Sequence, residues 1–168
     1  MRPPPGLTRF ARWLTNAGEF TWQLLACFMG VLFLHFATRR RRPLLLLAVN
    51  LGGVWLLNQL LKNLYRRDRP TIRHLVEAGG YSFPSGHSMS SAAFYGMIGY
   101  LLWNAYRRRW RGAWIFPLLA VVLTGAVGWS RIYLGVHFLS DVLAGYAAGL
   151  LWLLLCLSVY ERNPGRGG

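Results

Sequence analysis

The sequence predicts an all-α, polytopic transmembrane helical bundle of about five spans. Apolar residues make up 54% of its 168 residues, and only five residues are acidic against 19 Lys and Arg. The basic residues are bunched within 39–42, 66–73 and 107–111, and most of the chain between these clusters lacks charged side chains. The uncharged stretches are about as long as the ~20 residues that cross a bilayer core. In hydrocarbon each span must satisfy its own backbone polar groups, so each stretch is expected to be helical.

Five uncharged stretches define the predicted spans. They are residues 20–38, 43–61, 88–106, 113–129 and 138–160. The fourth is near the lower length limit for a span, and the fifth contains Asp141 close to its start. In the fifth span, Gly145 and Gly149 follow a small-xxx-small pattern, which favours close packing inside one bundle over dimerisation.

The chain is interpreted as one membrane-embedded domain, 1–168, without a second domain. Residues 1–19 form a possible interfacial segment, because Arg9 and Arg12 alternate there with Phe10 and Trp13. Residues 162–168 are a short polar tail. No disulfide is expected, since both cysteines fall inside apolar spans.

The net charge of +14 raises a second possibility, a nucleic-acid partner. The long uncharged spans between the basic clusters favour membrane lipids instead, with anionic headgroups beside the arginines. The predicted partners are therefore membrane lipids and no nucleic acid, and the oligomeric state is left open.

Three short motifs carry most of the side chains that could do chemistry. They read Lys62-x6-Arg69-Pro70, Pro84-Ser85-Gly86-His87 and Ser130-Arg131-x5-His137-x3-Asp141. They follow the second span, precede the third, and bridge the fourth and fifth. Because successive spans alternate in direction, all three motifs should emerge at the same face of the membrane. Three fixed cations with two histidines and a carboxylate could hold a phosphate, attack it and protonate the leaving group.

Each motif alone also has a structural interpretation. Lys62 could extend to the interface from a span end, and the motif ending at His87 could be a turn followed by a helix cap. His137 and Asp141, four residues apart, could be a buried structural pair. Their joint occurrence at one face favours a phosphoryl-transfer site.

From about Leu51 to Gly149 the chain resembles the type 2 phosphatidic acid phosphatase family. These integral membrane enzymes share a phosphate site with vanadium haloperoxidases, and all three of their motifs match here. The resemblance implies an enzyme that needs no metal and no other cofactor. It is specific for the superfamily and much less so for the substrate.

The resemblance also implies a role for each matching residue. Lys62, Arg69 and Arg131 correspond to the phosphate-binding cations, and Ser85 and the Gly86 amide to further donors to phosphate oxygens. His137 corresponds to the nucleophile, which would form a phosphohistidine, and Asp141 to the carboxylate that orients its ring. His87 corresponds to the general acid.

Family members commonly have six spans, so one N-terminal span is expected to be missing here, through either a shorter form or an internal start. With five spans, the N-terminus should lie on the motif face. The basic residues divide almost evenly between the two faces. Leaving out Lys62, Arg69 and Arg131, which catalysis would fix in place, favours the motif face outside. The expected location is the extracytoplasmic face of a bacterial inner membrane.

The predicted function is hydrolysis of a lipid phosphate or diphosphate. Undecaprenyl diphosphate, phosphatidylglycerol phosphate and phosphatidic acid all fit the pattern. Arg66, Arg67 and Arg73 add positive charge beside the site, which favours a diphosphate. The alternatives are a lipid phosphotransferase and a non-catalytic lipid-binding protein on the same fold.

Overall fold

A computed structural model describes residues 4–38, 42–72 and 74–162. Its helices are α1 (Pro5–Asn16), α2 (Phe20–Thr38), α3 (Arg42–Tyr65), α4 (Gly86–Tyr106), α5 (Ile115–Tyr133) and α6 (Leu139–Arg162). Helices α2 to α6 coincide with the five predicted spans, which confirms the all-α helical bundle. Of the predicted polar tail, residues 163–168 lie outside the described part of the chain.

The fourth predicted span was too short. A 3-10 turn, Arg111–Trp114, leads directly into α5, and together they form an apolar segment of 23 residues, Arg111–Tyr133. The prediction ended at residue 129 because Ser130 and Arg131 are polar. The helix continues through them because Arg131 is buried, only 5% exposed, at the inner side of its last turn.

Helix α4 lies at the centre of the bundle and packs against α3, α5 and α6. Met89, Phe94 and Met97 are at most 1% exposed. Helix α6 approaches α4 closely: a Cβ at Gly145 would lie 2.8 Å from the Ser85 carbonyl oxygen, and one at Gly149 would lie 2.3 Å from that of Met89. These two glycines therefore allow backbone contact inside the bundle, as their spacing predicted.

The outer helices present apolar side chains away from this core. In the described part of the chain, three segments are long and apolar enough to cross a membrane: Leu45–Tyr65, Arg111–Tyr133 and Leu139–Arg162. Leu60, Val121 and Leu151 are 59–69% exposed on their outer faces, a pattern suited to contact with lipid. Helix α4 is not among these three segments; because the other helices surround it, serines and glycines are tolerated there.

Helix α1 lies against α5 at the end of the bundle where α5 finishes. Ala11 and Leu14 are buried, and the Thr8 hydroxyl lies 3.2 Å from that of Tyr133. On the other side of α1, Phe10 and Trp13 are 52% and 71% exposed and stack on each other. One face thus packs on protein and the other offers aromatic rings. The interfacial placement of residues 1–19 stays a prediction.

Candidate active site

The three sequence motifs meet at one end of the bundle. Lys62 lies in the last turn of α3, Ser85 caps the start of α4, and Arg131 lies in the last turn of α5. His137 precedes α6, and Asp141 lies in its first turn. A direct bond joins two motifs, since the Ser85 N–H donates to the Asp141 carbonyl oxygen at 3.0 Å. Helices that alternate in direction thus bring all eight predicted site residues to the same end.

His137 lies between a carboxylate and a cation. Its Nδ1 is 3.6 Å from Oδ2 of Asp141, and its Nε2 is 3.3 Å from Nη1 of Arg69. The side chain is only 2% exposed. His137 lies in the turn before α6 and Asp141 in its first turn. The contact between them therefore bridges the start of the helix and is not a pair on one helical face. The ring therefore directs Nδ1 towards Asp141 and Nε2 towards the cations.

The electrostatic surroundings keep this ring neutral. Burial, followed by the positive charges of Arg131, Arg69 and Lys62, lowers the pKa of His137 to about 2. Desolvation and like charges both disfavour a cationic imidazole. A neutral ring retains the lone pair that a nucleophile requires.

Asp141 is fully buried and held on several sides. Its Oδ1 accepts a hydrogen bond from Nη1 of Arg67 at 2.8 Å. Its Oδ2 accepts from the Ser82 hydroxyl and, at 2.9 Å, from the Phe138 N–H. Asp141 is the third residue of α6, so this last bond is half of a capping box and places negative charge at a helix N-terminus. The carboxylate is therefore held both by local helix capping and by hydrogen bonds from distant segments.

Arg67 and Ser82 were not identified as site residues from the sequence. The sequence analysis placed Arg67 beside a second phosphate. In the structure its guanidinium bonds to Asp141, donates to Ser140 Oγ at 2.8 Å and lies 4.2 Å from the centre of the Phe138 ring. Arg67 and Asp141 are 74 residues apart, so no local sequence pattern could indicate that they pair. The only available signal was its position two residues before Arg69 within the first motif.

Arg69 is held by backbone carbonyls of two loops. Its Nε and Nη2 donate to Gly80 and Gly79 at 3.1 and 2.8 Å, and its Nη1 donates to Val136 at 2.8 Å. Burial lowers the pKa of this guanidinium from its usual value. An arginine nevertheless keeps its charge in proteins. These bonds fix a permanent cation beside Nε2 of His137.

The other two cations come from helix ends. The Lys62 ammonium donates to the carbonyl oxygen of Tyr81. Arg131 donates from Nη1 to the Thr15 hydroxyl at 2.6 Å, and no sequence pattern indicates this contact between residues 116 positions apart. The Nε of Arg131 is buried and has no hydrogen-bond partner within residues 4–38, 42–72 and 74–162. This guanidinium therefore keeps donor capacity that an anion could use.

Ser85 and Gly86 form the first turn of α4. The Ser85 hydroxyl oxygen accepts from the Ser88 N–H at 3.4 Å and from the Ser88 hydroxyl at 3.0 Å, so its own hydrogen remains able to donate. A Cβ at Gly86 would lie 2.9 Å from the Asn58 amide oxygen, which leaves little room for a side chain. The start of a helix favours anions, because its first N–H groups lack partners within the helix.

His87, the second residue of α4, borders two cavities. One, of about 840 Å³, is lined by residues of α1 including Thr15, by the loop after α3 and by Arg131. The other, of about 390 Å³, is lined by the start of α2 and by Val54 and Trp55 of α3. His87 thus lies next to space for a bound group, on the side of the site where Arg131 projects.

The chain belongs to the PAP2 superfamily, whose family model matches residues 42–164. It is 41% identical over 118 residues to phosphatidylglycerophosphatase B of Bacillus subtilis, covering 70% of this chain. Over 151 residues, or 86% of this chain, it is 36% identical to a decaprenylphosphoryl-5-phosphoribose phosphatase of Mycobacterium tuberculosis and covers 76% of that protein. The chain spans 58% of the length of the Bacillus subtilis relative and 64% of that of an Escherichia coli relative.

A solved structure supports the same assignment. The crystal structure of the first transmembrane PAP2 type phosphatidylglycerolphosphate phosphatase from Bacillus subtilis matches with a TM-score of 0.89 at 33% identity. That match covers 99% of this chain and 82% of the other. Together with the apolar helices, it identifies the chain as an integral membrane protein with the PAP2 helical fold.

Proposed function

We propose that this chain is a membrane lipid phosphatase that hydrolyses a lipid phosphate or diphosphate through a phosphohistidine at His137. The orientation of the His137 ring carries the proposal. Its Nδ1 points to Asp141 and its Nε2 to Arg69, at 3.6 and 3.3 Å. A carboxylate facing one nitrogen favours the tautomer that leaves a lone pair on the other, as in serine hydrolase triads. The 3.6 Å separation is longer than a hydrogen bond, so the two groups must draw closer during the reaction.

The reaction proceeds in two displacements. Nε2 of His137 attacks phosphorus and forms a P–N bond while the bond to the lipid oxygen breaks. His87, which becomes protonated when the bound phosphate offsets the charge of the nearby cations, donates its proton to that oxygen. Water then attacks the phosphohistidine, His87 takes a proton from the water, and inorganic phosphate leaves with the P–N bond broken. Asp141 stabilises the cationic ring that exists between the two steps.

The three cations offset the charge of the transferring group. Lys62, Arg69 and Arg131 surround the His137 side of the site, and the N-terminus of α4 adds oriented N–H groups at Ser85 and Gly86. Fixed donors aimed at developing charge are the main source of rate enhancement in such sites. No step in this scheme calls on a metal ion or other cofactor.

The relatives indicate the kind of substrate. Their names refer to a glycerophospholipid phosphate and to a prenyl-linked sugar phosphate, and both are phosphates carried by a membrane lipid. Phosphatidylglycerol phosphate, undecaprenyl diphosphate and phosphatidic acid are therefore the candidate substrates. We place the site at the extracytoplasmic face of a bacterial inner membrane, as the distribution of basic residues favours.

The deciding experiment measures phosphate release from these three lipids by the purified protein in detergent with excess EDTA. The unmodified protein should release phosphate, and vanadate, which resembles five-coordinate phosphorus, should inhibit competitively. Phosphate that appears on a lipid alcohol in place of solution would identify a phosphotransferase. No release from any lipid, or release that requires Mg²⁺, would contradict the proposal.

A further inference from the structure

Helix α1 reaches the active site although it lies outside the part of the chain that matches the family, which begins at residue 42. Thr15, in its last turn, accepts a hydrogen bond from Nη1 of Arg131 at 2.6 Å. Thr15 and Arg131 are only 8% and 5% exposed, so water competes little for this bond. A phosphate-binding cation of the family motif is thus held by a residue 116 positions away.

Arg131 has few other restraints. Among the described residues, the bond to Thr15 is the one side-chain hydrogen bond recorded for this guanidinium, and its buried Nε has no partner. Arg69, in contrast, donates to three backbone carbonyls. A guanidinium binds phosphate well when its planar fork is oriented beforehand. For Arg131, that orientation depends on Thr15.

Helix α1 is itself fixed to the segment that carries the nucleophile. Ala11 packs in a buried cluster with Leu134 and Val136, which precede His137. Arg12 donates to the Leu75 carbonyl oxygen at 2.6 Å. The position of the Thr15 hydroxyl is therefore set relative to both Arg131 and the turn that holds His137.

We propose that Thr15 is a positioning residue of the active site, which holds the Arg131 guanidinium so that its remaining donors face the phosphate bound at His137. The inference rests on the proposed function only in assigning Arg131 to phosphate. It adds a residue of α1 to a site otherwise built from α3 to α6 and their loops.

The test uses the full chain in detergent and the matched variants Thr15→Val, Thr15→Ser and Thr8→Val. Thr15→Val keeps the shape and removes the hydroxyl, whereas Thr15→Ser keeps it. Thr8→Val removes a different hydroxyl that links α1 to α5, through Tyr133, and leaves Arg131 untouched. Vanadate affinity is measured from the rise in thermal unfolding midpoint, because a ligand that binds only the folded state stabilises it.

Thr15→Val should weaken vanadate binding by about tenfold, the typical effect of losing one charge-assisted hydrogen bond. Thr15→Ser and Thr8→Val should bind vanadate as the unmodified protein does. In an Arg131→Gln background, Thr15→Val should have no further effect, since Thr15 acts through Arg131. Thr15→Ala serves as a second hydroxyl deletion if Thr15→Val fails to fold.

Unchanged vanadate affinity in Thr15→Val, failure of Thr15→Ser to retain affinity, or an equal loss in Thr8→Val would each overturn the inference. Binding also separates this inference from the proposed function. A protein that binds vanadate through Thr15 and Arg131 yet hydrolyses no lipid phosphate would contradict the function alone. Absence of vanadate binding in the unmodified protein would overturn both.

Discussion

The two sides of the active site differ in how fully their polar groups are paired. On one side, Asp141 accepts hydrogen bonds from Arg67, Ser82 and the Phe138 N–H. On the other side, Arg131 donates to Thr15 and has a buried Nε without a partner in the described part of the chain. Both carboxylate oxygens of Asp141 are thus paired without a ligand, although Nδ1 of His137 beside it has no hydrogen-bond partner among the described residues. The Arg131 side keeps unused donors.

This difference follows from what each side must do. A carboxylate that orients a histidine works best when it is already fixed, because no reorganisation is then needed during the reaction. Cations that bind a phosphate must keep some donors free, since a fully paired guanidinium has nothing to offer an anion. Substitutions on the Asp141 side should therefore act mainly on kcat, and those on the Arg131 side mainly on anion affinity.

The largest effect is expected at the group between the two sides. His137→Ala removes the nucleophile while leaving both sides in place, so turnover should fall by more than about 10⁴-fold and no phosphoenzyme should form. Rapid-quench trapping with a ³²P-labelled lipid phosphate checks both results. Retained vanadate binding serves as the folding control. Appreciable turnover in His137→Ala would mean that another residue attacks phosphorus.

A smaller loss is expected for His87, which borders the two cavities on the Arg131 side. His87→Ala should lower kcat by about 10² to 10⁴-fold, the usual contribution of a general acid. The loss should shrink for p-nitrophenyl phosphate, whose leaving group needs no proton, and vanadate affinity should change little. Equal losses for good and poor leaving groups would count against the acid role.

The Asp141 side is tested by Arg67→Gln, with the neighbouring Arg66→Gln as its control on lipid monophosphates. Loss of the charged bond to Oδ1 of Asp141 should lower kcat by about ten- to a hundredfold for every lipid phosphate, with KM and vanadate affinity nearly unchanged. In an Asp141→Asn background the same change should cost less, because the two residues act as one unit. A selective loss for diphosphates would return Arg67 to the role that the sequence suggested.

The sequence predicted the fold well because the relevant information is local. Uncharged runs such as 43–61 mark helices without knowledge of their neighbours, and alternating direction places the motifs at one end. The boundaries of α5 were missed because Arg131 is a buried charge, which composition treats as a span end. In helix α4, by contrast, polar and small residues did not obscure the span. Its serines and glycines are tolerated because other helices surround it.

The predicted site residues all lie at one end of the bundle, but their supporting contacts were not foreseen. Ser82 and Thr15 contact Asp141 and Arg131 across 59 and 116 residues, and a hydroxyl carries no sequence pattern of its own. The pairing of Arg67 with Asp141 was not foreseen for a related reason. From sequence alone, the arginines of a basic loop cannot be told apart. The structure is needed to show which of them pairs with a buried carboxylate.

The smallest effect concerns the preference for a diphosphate substrate. Of the three arginines expected to favour it, the structure leaves one whose role can be tested simply. Arg67 is engaged by Asp141, and residue 73 lies outside the described chain, so Arg66 remains to be tested. Arg66 is exposed and has a positive φ of 44°, and within the described ranges its side chain bonds only locally, through Nε to the Asn63 carbonyl oxygen at 3.0 Å. Binding a second phosphate would therefore cost this guanidinium no buried partner.

Arg66→Gln should lower kcat/KM for undecaprenyl diphosphate by less than about fivefold, as expected for one exposed charge. Hydrolysis of phosphatidic acid should be unchanged, because its single phosphate is held by Lys62, Arg69 and Arg131. The difference should disappear at high salt, which screens exposed charges. Arg108→Gln, exposed at the opposite end of the bundle, is the matched control and should affect neither substrate. Equal losses for both lipids in Arg66→Gln would make Arg66 a contact for the lipid surface and leave substrate choice to the two cavities beside His87.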